Sequence, residues 1–136
     1  MISRIQLQAI LLVDTALTGA TGLLMLAGAW FLNDLLDLPT KLLWISGLIL
    51  VLYAGFLLGI KKQSEISFRL IGLIALINLG WGIGCLAMLF ANWTDPKGLG
   101  VAFVLLQVAV VFAFAALQMN TLQGNTRSRV RRLSPR

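Results

Sequence analysis

The chain of 136 residues is 59% hydrophobic and 12% charged, with a formal net charge of +6. Soluble domains average about 45–50% apolar and about 25% charged residues, so this composition belongs to another class of protein. With no histidine, one cysteine (Cys85) and one glutamate (Glu65), the chain lacks the parts for histidine-ligated haem, zinc hydrolysis, Ser-His-Asp triads and disulfides. No catalytic, cofactor or metal site is expected, and an enzyme is the least favoured class.

A helix crossing the roughly 30 Å hydrocarbon core takes about 20 mostly apolar residues. Four segments qualify: 5–32, 42–60, 70–91 and 99–119, with Asp14 as the one charge among them. Runs such as Leu48-Ile49-Leu50-Val51-Leu52 do not alternate as barrel strands would, and an open sheet would leave edge groups unpaired in lipid. The first segment is longer than the roughly 7–15-residue apolar stretch of a cleaved secretory signal, so it is expected to stay as a helix despite Ala27-Gly28-Ala29. The pattern predicts an all-α fold, a transmembrane four-helix antiparallel bundle over residues 1–119. A basic tail over 120–136 is expected to lack fixed structure.

Lys and Arg concentrate in cytoplasmic connections. Arg4, Lys61, Lys62, Arg69, Arg127, Arg129, Arg131, Arg132 and Arg136 fall on one side with Glu65, whereas Lys41 and Lys97 share the other with Asp34, Asp37 and Asp95. This asymmetry predicts cytoplasmic termini in a bacterial inner membrane. Pro39 and Asp95-Pro96 mark turns short enough to make consecutive helices neighbours. Trp30, Trp44 and Trp93 fall near the opposite boundary, where indole rings anchor at the interface. For Arg127, Arg129, Arg131 and Arg132 the expected partner is anionic headgroups, at about 1 kcal/mol per basic residue near the surface, and not nucleic acid.

An ionisable residue inside a span is a functional candidate, because charge near the bilayer centre costs at least about 2.5 kcal/mol. At about 1.5 Å per residue from the cytoplasmic ends, Asp14, Tyr53, Asn78 and Gln107 all lie roughly 12–17 Å deep. One strong hydrogen-bonding side chain per helix would form a polar layer if all four face inward. That layer could be a structural clasp, or a pocket in which Asp14 binds a proton or cation. Gly19 and Gly22, Gly55 and Gly59, and Gly80 and Gly84 stand at spacings that let helices approach closely. Packing within the monomer is the first reading, a homodimer or larger membrane complex the second. Cys85 reads as a small packing residue.

Asp14 with the Gly-x-x-Gly-Leu-Leu of Gly19–Leu24, Asn78-x-x-Trp81, and the run Leu99–Leu105 before Gln107 resemble a group of small, uncharacterised four-span bacterial membrane proteins. That likeness implies an architecture and no particular activity. Asp14 early in the first span and Trp81-Gly82-Ile83-Gly84 in the third also resemble the small multidrug resistance transporters. This second resemblance implies a dimer whose carboxylate exchanges protons for cationic drugs, although aspartate here replaces that family's glutamate. The leading expectation is a non-enzymatic integral membrane protein with a structural or interaction role; the alternative is a small proton-coupled transporter using Asp14.

Overall fold

In the computed structural model, the described residues are 4–91, 96 and 98–133. They form five helices: α1 (Arg4–Ala27), α2 (Ala29–Leu36), α3 (Thr40–Lys61), α4 (Phe68–Phe90) and α5 (Gly98–Leu133). Four of them, α1, α3, α4 and α5, are long and apolar enough to cross a membrane. Trp93, Asp95, Lys97 and Arg136 lie outside the described residues.

The first apolar segment is not one helix of 5–32. Gly28 adopts φ −105° and ψ 14°, and there α1 gives way to α2. Gly28 N–H donates to Leu24 O (2.8 Å) and Leu32 N–H donates to Gly28 O (2.8 Å), one bond on each side of the bend. The regular helical ladder is interrupted at Gly28, between Ala27 and Ala29. α2 ends at Asp37, a left-handed residue (φ 51°) whose N–H reaches Asn33 O. Asn33 Nδ2 closes the turn on Leu38 O at 2.6 Å, and Pro39, with its fixed φ, starts α3. At the other end Ser67 caps α4, its Oγ accepting from Arg69 N–H.

The last apolar segment also departs from expectation. α5 does not stop near Met119 but runs 36 residues to Leu133. Helix thus replaces the expected unstructured tail as far as Leu133.

Packing is uneven. The backbones of α1 and α3 approach closely, as do those of α4 and α5, whereas α3 and α4 stand farther apart and meet only through side chains. The two pairs meet through α1 with α5, through α2 with α5, and through side chains that α1 and α3 share with α4. One apolar cluster joins Met25, Ala29, Leu32, Leu36, Leu38, Leu43, Leu50 and Val104. A second joins Leu7, Leu11, Leu57, Ile60, Ile71 and Ile74. Large apolar side chains, among them Leu52, Leu76, Ile83 and Leu106, point outward from all four long helices.

Candidate functional site

Buried polar residues gather around Asp14, which is 1% exposed. Its Oδ2 accepts from Gln118 Nε2 (2.9 Å) and from Asn78 Nδ2 (3.2 Å). Its Oδ1 accepts from Thr18 Oγ1, one turn along α1, at 3.1 Å. Asn78 Nδ2 also donates to Gln118 Oε1 at 3.2 Å. α1, α4 and α5 each contribute, so the carboxyl joins one helix pair to the other. Every group bonded to it is a donor, the complement of a carboxylate with lone pairs to fill. Thr15 and Thr121, also buried, satisfy themselves within their helices by donating to Leu11 O (2.7 Å) and Leu117 O (3.1 Å).

Of the four residues expected in one layer, Asp14 and Asn78 bond directly and the other two do not join them. Gln107 accepts instead from Trp81 Nε1 at 3.3 Å. Gln118 takes the place assigned to it. The depth count began at Met119, as though the helix surfaced there, but α5 continues and the residue level with Asp14 lies much nearer that point. The signal was present: Gln118 is the second strong hydrogen-bonding side chain of the predicted 99–119 span, one residue from its end. The Tyr53 hydroxyl is buried with no hydrogen-bonding partner among the described residues.

Two cavities adjoin the network. One, of about 170 Å³, is lined by Asp14, Thr18, Thr21, Trp81 and Gln107 together with apolar residues of α1, α3 and α5. Gln107 thus shares a cavity with Asp14 without touching it. The other, of about 100 Å³, lies against Thr18, Tyr53 and Asn78. Leu50, Trp81 and Val111 border both.

The glycines sort into two groups. A Cβ on Gly22 would stand 2.9 Å from Gly47 O, and one on Gly47 would stand 2.9 Å from Gly22 O, so these two mark where α1 crosses α3. Gly19 sits in ordinary contact range of Ala54. Gly55, Gly59, Gly80 and Gly84 face open space, with nothing within 4 Å of such a Cβ. Among the described residues, the close-approach spacing in α3 and α4 therefore meets no neighbouring helix. Gly82 lies against Phe112 and Gly100 against the Leu36 carbonyl, two contacts the spacing did not reveal.

Arg127, Arg129, Arg131 and Arg132 are exposed on the last turns of α5. Cys85 is a half-buried free thiol packed against the first apolar cluster. Among the described residues, no three of His, Cys, Asp and Glu gather as a metal site would require. What the arrangement offers chemically is one carboxyl that accepts hydrogen bonds and can carry a proton, held beside a cavity. No protein-family model, curated protein or solved structure matches the chain.

Proposed function

We propose that the chain is a small, non-enzymatic integral membrane protein of a bacterial inner membrane, with a structural or interaction role among other membrane components. Its four long helices form an antiparallel bundle with both termini in the cytoplasm. The outward Leu and Ile side chains support residence in lipid, since contiguous apolar surface of this extent is rare on a soluble monomer. The excess of Lys and Arg at the ends and in the 61–69 connection supports the orientation.

The observation that carries the structural reading is that Asp14 spends its acceptors on the protein itself. Donors from α1, α4 and α5 already occupy both oxygens, which suits a clasp between helix pairs. Asp14→Asn is the test. An amide keeps the shape and most of the bonding, so a clasp leaves folding and any complex with other membrane proteins largely intact. Recovery of the same partners with wild type and Asp14→Asn supports this reading. Loss of every partner with retained fold refutes it.

One observation favours a second reading, a proton-coupled transporter: the cavity of about 170 Å³ that reaches Asp14. Proton-coupled flux in liposomes that disappears with Asp14→Asn would establish it. The exposed arginines of α5 have anionic headgroups as their partner, and the open faces of α3 and α4 are where a homodimer or larger complex would form.

A further inference from the structure

The Tyr53 hydroxyl is the group that the Asp14 network leaves unused. It is buried without a hydrogen-bonding partner among the described residues, a state that native structures rarely tolerate. Beside it lies the cavity of about 100 Å³, whose other polar lining comes from Thr18 and Asn78. Those are two of the three residues that donate to Asp14.

We propose that this cavity is an internal water site, in which ordered water joins Tyr53 to Thr18 and Asn78 and so to Asp14. Volume permits it: a site needs only about 10–15 Å³ of such space to hold one water. Polarity decides it, because an apolar cavity of about 150 Å³ stays dry, whereas a water with two to four polar partners is held. The donors and acceptors also balance. Thr18 gives its proton to Asp14 and keeps lone pairs for accepting. The bonds of Asn78 to Asp14 and Gln118 both use Nδ2, which leaves Oδ1 to accept. A water that accepts from the Tyr53 hydroxyl and donates to Thr18 Oγ1 and Asn78 Oδ1 satisfies all three. This inference rests on the clasp reading for its consequence alone: α3, which gives the network no direct hydrogen bond, is tied to it through water.

The experiment uses the full chain in lipid bilayers and magic-angle-spinning NMR, with magnetisation transferred from water to the Asn78 side-chain amide and to Tyr53. Both sites receive water magnetisation in the wild type. The transfer to Asn78 is lost in Ile49→Phe, which fills the cavity from its apolar wall. Absence of transfer to both sites in the wild type overturns the proposal, as does transfer that persists with the cavity filled. Thermal unfolding gives an independent sign. Tyr53→Phe lowers Tm if the hydroxyl is bonded to water, and an equal or higher Tm means a hydroxyl buried without a partner and overturns the proposal. Failure of the clasp reading is read elsewhere, in the coupling of Asp14 to Gln118, so the two outcomes stay distinct.

Discussion

Replacing single glycines by alanine separates packing from spacing. At Gly22 the new methyl would lie 2.9 Å from Gly47 O, 2.9 Å from Val51 Cγ2 and 3.0 Å from Leu50 Cβ. Carbon contacts are best at about 3.5–4.0 Å, so α1 and α3 must part by on the order of 0.5–1 Å, enough to forfeit a quarter to a half of each contact's attraction along the crossing. Overpacking of this kind costs about 1–3 kcal/mol. Alanine returns up to about 1 kcal/mol through its better helix propensity. The net for Gly22→Ala is a loss of up to about 2 kcal/mol, built from those two terms. At Gly80 the methyl meets nothing within 4 Å, so only the propensity term remains and Gly80→Ala is neutral or stabilising by up to about 1 kcal/mol. Reversible unfolding of the full chain in mixed micelles, titrated with a denaturing detergent, reads the difference. Equal effects at the two sites, or the larger loss at Gly80, would refute the assignment of Gly22 to the helix crossing.

Gln118→Leu strands donors and acceptors at Asp14 and Asn78 and lowers stability by about 1–3 kcal/mol, whereas Gln107→Leu forfeits only the Trp81 bond, about 0.6 kcal/mol. A double-mutant cycle with Asp14→Ala shows coupling for Gln118 and none for Gln107; the reverse order would contradict the network described. Gly100→Ala drives a methyl onto the Leu36 carbonyl, so it destabilises by about 1–3 kcal/mol and loosens α2 from α5, measured as faster hydrogen exchange in α2. Replacing Arg127, Arg129, Arg131 and Arg132 together by alanine removes the thermal stabilisation given by anionic over zwitterionic lipid, at about 1 kcal/mol per residue held near the surface. Retention of that lipid dependence would place the headgroup contacts elsewhere.

The four long helices were legible because apolar length is a one-dimensional signal: runs such as Leu48–Leu52 and Val108–Phe114 need no partner to be recognised. Helix rotation was not. In water an apolar stripe shows which face turns inward, but these helices present Leu and Ile both to the interior and outward, so periodicity carries little information. Polar residues alone mark the faces. Asp14 and Thr18, hydrogen-bonded one turn apart, mark that of α1, whereas the glycines of α3 and α4 gave no such guide. Gly55 and Gly80 therefore read like Gly22, although only Gly22 meets another helix closely. The level of Gln118 was lost for a related reason, since hydropathy locates where an apolar run stops and not where its helix does. The bend at Gly28 had a glycine to announce it, but in a continuous apolar run a glycine serves equally well for packing or for bending.

The bond between Gln118 and Asp14 spans 104 positions of sequence. During synthesis Asp14 precedes Gln118 by 104 positions, so the carboxyl waits for α5 before its bonding is complete. Asn78 arrives earlier but brings a single amide group. A chain cut short before Gln118 carries an incompletely bonded carboxyl inside an apolar segment, a chemical mark of incompleteness.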